Sequence, residues 1–414
     1  MSRTAIVGGG AVGLASAHYL AESGHEVSIF EESGVASGAS YGNAGTFAPY
    51  ACIPVNNPSV FANLHRYLLS PRSPFRLRMQ QLPRMLPWIG RFLQHSTAAR
   101  SHQTSVELAR LLGLANAAYA GIIGRAGADL IAPQECLYLY SSSRAFDAAA
   151  RDMALRRQLG IPVEILDEAG IRALEPNLSP RFHKGALFTG SWFFRSPYRF
   201  LTTLAERLTQ SGVEMVRASV QEVRPQEGGV DLVLTDGRSV RFDHVVIAAG
   251  AKSRHFALQC GDKVPLDTER GYHLTFPAGA GLLSRPCGWA ERGFYMTPMA
   301  DGLRVAGTVE LGGFSPALRT SLLSLLSSSA RDAVHGLGGP TTEWLGFRPT
   351  LPDGLPVLDR AAASPRVIYA FGHQHLGLTL AGITGQIVAS FVNDTPQPIS
   401  LAPFAANRFA SHAA

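Results

Sequence analysis

Thr4-Ala5-Ile6-Val7-Gly8-Gly9-Gly10-Ala11-Val12-Gly13, near the start of the chain, is the stretch on which the fold turns. Ala5-Ile6-Val7 is an apolar run of the kind a buried parallel strand needs. G-x-G-x-x-G follows at once, residues 14–23 read as a helix stopped by Gly24, and a second strand over 26–30 delivers Glu31 and its neighbour Glu32. Each part of this β-α-β unit has a reason to hold a dinucleotide. Gly8 permits the tight turn, Gly10 lets a pyrophosphate approach the backbone, and Gly13 lets helix and strand pack closely. The phosphates then meet Ala11 and Val12 at a helix N-terminus, where free N–H groups and the helix dipole favour an anion. Glu31 can accept hydrogen bonds from ribose hydroxyls. A merely tight β-α turn is the competing reading, and the coincidence of strand, helix, glycine stop and acid disfavours it. The unit leaves the identity of the dinucleotide open.

A chain of 414 residues exceeds what one compact core usually serves, so two domains are expected. Hydrophobic residues make up 46% and charged ones 16%, which suits a well-buried globular enzyme. No run approaches the ~18–20 apolar residues that span a bilayer. A strand starting at about Thr4 leaves no room for a signal peptide, so the expected location is the cytoplasm, or the inner face of the cytoplasmic membrane. Cys52, Cys136, Cys260 and Cys287 show no metal-ligand or C-x-x-C spacing and read as buried free thiols, with no metal site implied.

The formal charge of +6 is modest but unevenly spread. Between Glu32 and Glu107 there is no acid, while Arg66, Arg72, Arg76, Arg78, Arg84, Arg91 and Arg100 alternate with apolar and aromatic residues. Residues 65–94 therefore suit peripheral contact with an anionic membrane, or a pair of helices covering a substrate site. Pro71, Pro74, Pro83 and Pro87 should break the region into short pieces, which favours the cover. No nucleic-acid-binding module is present, and a nucleic-acid partner is not expected.

Further along, residues 104–126 read as helical, 137–140 as a strand, 146–159 as a helix and 197–210 as an amphipathic helix. Strands follow at 213–216, 220–223 and 230–234, then a hairpin turn at Asp236-Gly237 and a strand over 240–242. The fully apolar Val245-Val246-Ile247 with Ala248-Ala249-Gly250 reads as the nucleotide domain resumed after a long insertion. Residues 256–342 are strand-rich with a short helix near 316–328, and a last helix begins near Thr379.

Taken together, 8–31, 245–250, Gly346-Phe347-Arg348-Pro349 and Gly372-His373…Gly377-Leu378-Thr379 resemble the FAD-dependent D-amino acid oxidase superfamily from end to end. Ser40-Tyr41-Gly42-Asn43-Ala44-Gly45 resembles the flavin-side loop of bacterial D-amino acid dehydrogenases. The resemblance implies an α/β fold with a discontinuous Rossmann-like FAD domain (1–50, 196–255 and 343–395). A second domain on a large mixed sheet (51–195 and 256–342) would bind substrate, leaving 396–414 as a tail. It implies non-covalent FAD, since the cysteine motif of covalent attachment is missing. The implied reaction is oxidation of the CH–NH bond of a D-amino or D-imino acid, with electrons passed to a quinone, a partner protein or oxygen. The alternatives are a glycine- or sarcosine-type oxidase making hydrogen peroxide, and a flavin subunit of a hetero-oligomeric dehydrogenase. Oligomeric state is not implied.

The same resemblance assigns roles. Arg348 is the expected carboxylate ligand, its loop stiffened by Pro349; a bridge between loops through carbonyls is the alternative. Tyr272 is the expected second carboxylate contact, Tyr295 a pocket residue and Tyr50 a lid. Ser40, Asn43, Ala44, Gly45, Ala249, Gly250, Gly372, Gly377, Leu378 and Thr379 should line the cofactor, and the backbone of Val220 should meet adenine. His375 stands where glycine oxidases carry an arginine, which argues against the smallest amino acid as substrate; a protonated His375 tuning the flavin is one reading, simple packing the other.

Overall fold

The computed structural model describes residues 1–58 and 75–410. Ala5, Val7, Val245, Ile247, Val367 and Tyr369 alternate with Ile6, Val246, Ile368 and Ala370 along three neighbouring strands. Both sets are buried, so both faces of that sheet must be covered. The first set packs on Val230, Leu232 and Phe242 of a three-stranded meander, Val220–Gln226, Gly229–Leu234 and Ser239–Phe242. The second set packs on the helices Ala11–Glu22, Pro197–Gln210 and Gly377–Val392. The six-stranded sheet runs Glu214–Val216, Glu26–Phe30, Arg3–Val7, His244–Ile247, Ser364–Phe371 and Val357–Ala361, parallel except for its last pair.

A nine-stranded mixed sheet forms the second layer system. Its order is Thr342–Thr350, Asp267–Phe276, Gly302–Leu311, Phe294–Met299, Cys287–Trp289, Cys136–Tyr140, Lys184–Phe188 and Glu164–Leu166, with Phe75–Leu77 added beside Gly302–Leu311. The back of this sheet carries its own core, where Tyr272, Leu274 and Phe276 meet Leu322, Leu323 and Leu326 of the Thr320–Ala333 helix. The expected helix near 316–328 is this one, displaced toward the C-terminus.

Three expectations are corrected. The boundary drawn at 343 falls inside a strand: Thr342–Thr350 pairs along the whole of Asp267–Phe276 and belongs to the large sheet. Within 51–195, Ala98–Ala115 buries Leu108, Leu111 and Leu112 in the same core as Ile383 and Ile387, joining the nucleotide side. The segment 396–410 is no loose tail, because Phe404 is buried, Ala406 N donates to Asp359 and Arg408 pairs with Asp353 at 2.7 Å. The cysteines are free and buried, as expected.

One stretch, Gln374–Val392, is long and apolar enough to cross a membrane, against the expectation that no run is. Seventy-two per cent of its apolar window is buried, and it is the central helix of the core. Within the described part of the basic segment, Pro83 and Pro87 do not break the chain into short pieces either. Leu82–His95 is one helix in which Pro83 sits in the first turn, where an N–H is dispensable, and only Pro87 removes a helical bond. Its Met85 and Trp88 pack on Leu311 at the edge of the large sheet, with Phe75 and Leu77 beside them. Residues 65–74 lie outside the described residues.

Candidate active site

At the end of Arg3–Val7 the backbone of Gly8 takes φ +112°, and a Cβ there would stand 2.5 Å from the Ala248 carbonyl oxygen. A Cβ on Gly13 would overlap the Gly8 carbonyl. Strand and helix are therefore joined by a turn with no room for side chains. Gly10 differs, since a Cβ there would meet only Ser40 Oγ, at 3.4 Å, and its backbone faces open space. Ala11 N donates to Ser40 Oγ at 3.1 Å, closing the Ser40 loop onto the start of the helix. Glu31 accepts from Gly9 N at 2.8 Å and Ser33 N at 2.9 Å. Glu32 turns outward to Lys252 and Ser219, and the hydrogen bond from Lys252 holds its carboxyl below the usual range. Ala249 and Gly250 follow the His244–Ile247 strand against this turn, and Val220 packs in the same cluster as Ala249.

On the other side of the cradle, Asn43 Oδ1 accepts from Gly45 N at 2.8 Å and sets the bend of the loop through Ala44. Arg304, buried on the large sheet, donates to the carbonyls of Tyr41 and Asn43 at 3.1 and 3.2 Å. Ala48 N donates to Thr379 Oγ1 at 3.1 Å, and the Tyr119 hydroxyl donates to the Leu378 carbonyl. The loop is thus tied to both the sheet and the start of the Gly377–Val392 helix, just beyond Gly372. That helix and Ala11–Glu22 both begin without a side-chain cap and without an acid in the first turn. Thr46 Oγ1, on the short strand beside the Gly377–Val392 helix, is buried with no hydrogen-bond partner. Two uncapped helix ends, an orphaned buried hydroxyl and open space over Gly10 fit a long anionic cofactor.

The large sheet supplies the remaining wall. Direct cross-strand partners share a face, so Trp344, His273, Ala306, Tyr295, Gly288 and Tyr138 form one row across it. His273 stacks on Trp344 with ring centroids 5.0 Å apart, and Tyr41 of the loop closes over both. Farther along the same face, Arg348 stands opposite Glu269. The Arg348 guanidinium leans across Gly271, where a Cβ would come 2.5 Å from its central carbon, and it donates to the Thr308 carbonyl at 3.2 Å. Thr308 holds φ +61° in a bulge opposite Gly271, which aims that carbonyl. Arg348 and Pro349 lie within the strand Thr342–Thr350 and not in the expected loop, and this one bond, to a carbonyl of the strand Gly302–Leu311, is not the expected bridge between two loops; it uses one nitrogen of the fork.

His375 approaches from the other domain, just before the Gly377–Val392 helix. Its ring has accessible surface, yet the surrounding protein and the Arg348 charge depress its pKa to about 4. It is neutral at physiological pH, so the protonated reading is corrected. The Arg348 charge acts on the His375 ring, so the two side chains lie near each other although they come from different elements.

Two other expectations change. Tyr272 points to the opposite face from Arg348, and its hydroxyl donates to buried Glu310 at 2.6 Å. Strand alternation puts it there, since Gly271 rather than Tyr272 shares the Arg348 face. Tyr50 is buried and stacks on Phe188 at 4.1 Å, with no hydrogen-bond partner for its hydroxyl, so it is a packed wall residue and no lid. Tyr295 shares the sheet face of His273 and Trp344 and is hydrogen-bonded to Tyr138. The sequence reading missed Arg304, Glu269 and the Tyr41–His273–Trp344 wall. Period-two alternation from Gly271 would have placed Glu269 and His273 on one face; nothing local marks Arg304.

Comparison with known proteins agrees with this arrangement. The family model of FAD-dependent oxidoreductases matches residues 3–391. The chain is 33% identical over 428 residues to a D-amino-acid oxidase of Bradyrhizobium diazoefficiens, covering 98% of each. It is 29% identical to a D-amino acid dehydrogenase of Allorhizobium ampelinum, covering 99% of each. Glycine oxidase from Geobacillus kaustophilus has the same fold, with a TM-score of 0.76 at 24% identity over 99% of each chain. The uncapped helix ends, the open Gly10 turn and these matches lead to one assignment: the chain belongs to the FAD-dependent oxidoreductase family, and its cofactor is FAD.

Proposed function

We propose that this enzyme oxidises the CH–NH bond of a D-amino or D-imino acid, a cyclic D-proline type included, and passes the electrons to a quinone or another acceptor. The observation that carries the reading is Arg348, a guanidinium fixed on Gly271 and Thr308 through one nitrogen of its fork, close enough to His375 for its charge to act on that ring. Bidentate recognition of a carboxylate is what such a fork does best. The D-amino-acid oxidase and dehydrogenase named above support the substrate class.

Bound FAD supplies the acceptor for hydride from the carbon that bears nitrogen. Arg348 fixes the substrate by its carboxylate and so orients that C–H bond. Neutral His375 offers a hydrogen bond without a second cation, which leaves the site suited to a larger group than a second arginine would. The uncapped start of Gly377–Val392 favours negative charge near it. Tyr41, His273 and Trp344 exclude water on the sheet side. The released imino acid then hydrolyses to keto acid and ammonium.

We place the enzyme in the cytoplasm, with buried free thiols in support. Contact with the inner membrane face through 65–94 would bring it near a quinone, and Leu86, 56% exposed on Leu82–His95, is the described residue best placed for it. Purified chain, a D-amino acid and an artificial electron acceptor should yield stoichiometric keto acid and ammonium. No turnover with any D-amino or D-imino acid would overturn the proposal.

A further inference from the structure

Glu269 is a buried carboxylic acid directly opposite Arg348 on the sheet face that also carries His273 and Trp344. Among the described residues its side chain makes no hydrogen bond and no ion pair within 4.0 Å, Arg348 included. A buried acid held beside a half-buried guanidinium without meeting it is costly unless something joins them. The Arg348 fork leans away, over Gly271 toward Thr308, which keeps the gap open. An amino acid carries the complement of this pair on adjacent atoms, a carboxylate for Arg348 and an ammonium for Glu269.

We propose that Glu269 receives the ammonium of the substrate and takes a proton from it. One N–H bond breaks and one O–H bond forms, so an ammonium and a carboxylate become an amine and a carboxylic acid with no change in net charge. A dry site favours the neutral pair over the ion pair. The amine that results has the lone pair that departure of a hydride from the adjacent carbon requires. Burial also raises the proton affinity of Glu269, in the direction this role needs, with Arg348 opposing.

The inference rests on the D-amino acid reading, and the test separates the two. FAD-loaded Glu269→Gln should lose about 100-fold or more in kcat/KM near neutral pH, the range for removing a proton-transfer group. The loss should shrink as pH rises, in proportion to the neutral fraction of the free amino acid. Binding of a simple carboxylate without an amine, read as a shift of the flavin spectrum, should stay within about threefold in Kd, since Arg348 is untouched. Unchanged kcat/KM and pH profile would overturn the proposal. Equal weakening of the amine-free carboxylate would also overturn it, making Glu269 a positioning residue for Arg348. If Glu269→Gln fails to retain FAD, Glu269→Asp, one methylene shorter, serves instead; it should lower kcat/KM near neutral pH and leave carboxylate binding intact, and an unaltered profile would refute the role. Failure of the unsubstituted enzyme to be reduced by any D-amino acid defeats the underlying reading instead.

Discussion

At the scale of single residues, the chemistry rests on what lies beside Arg348. Removing its guanidinium forfeits hydrogen bonds to a charged group, about 1.5–3 kcal/mol, or roughly 10- to 150-fold. Arg348→Ala should raise KM by that factor with the yellow FAD spectrum retained, and an unchanged KM for a carboxylate substrate would refute the assignment. Gly271→Ala is the subtler test. A Cβ 2.5 Å from the Arg348 guanidinium carbon must displace the fork, so KM should rise while the FAD content stays full, measured as the ratio of flavin to protein absorbance. Arg348 was legible in the sequence through Gly346-Phe347-Arg348-Pro349. Its partners were not, because Gly271, Thr308 and Glu269 become neighbours only through sheet register. Tyr272 shows the penalty of reading a motif one residue off, since a shift of one on a strand reverses the face.

At the scale of elements, two helix starts and one loop make the cofactor site. Gly8 and Gly13 were legible because tight turns leave a local signature. The clamp on the Ser40–Gly45 loop was invisible, because Arg304 is distant in sequence and reaches the loop only after the large sheet has formed. Arg304→Ala frees the carbonyls of Tyr41 and Asn43 and leaves Asp301 without its partner at 3.6 Å. FAD should dissociate more readily from that variant, seen as a raised Kd on titration of apoprotein with FAD, and an unaltered Kd would show that the loop holds itself. The Leu82–His95 helix illustrates the reverse error. Prolines suggested breaks, yet one falls where its missing N–H costs nothing and burial of Met85 and Trp88 on Leu311 compensates for the other.

At the scale of the whole molecule, buried runs and Gly stops marked four strands of the six-stranded sheet, whereas Ser364–Phe371 and Val357–Ala361 were not read from the sequence. The path of Thr342–Thr350 into the large sheet was not legible either, because a strand that crosses between domains carries no mark of which sheet it joins. Acid sensitivity is also a property of the whole. His273 and His373 are held at about 4 and 3, chiefly by burial, against an ordinary 6.5. The unfolded chain therefore binds protons that the folded one refuses, and stability rises with pH across that interval. It should be complete above about pH 6.5 and decline progressively as pH falls toward about 4, seen as a falling Tm; a Tm constant from about pH 7 to about pH 5 would contradict the burial of these rings. The central claim, that sheet face and helix start together form a D-amino acid dehydrogenase site, has a more direct test. FAD-loaded enzyme is mixed without oxygen with the D- and L-forms of the same amino acids and of proline, and flavin absorbance is followed. Rapid bleaching by D-enantiomers alone is expected, abolished or greatly slowed in Arg348→Ala. Bleaching by L-enantiomers at equal rate, or by neither form, would contradict it.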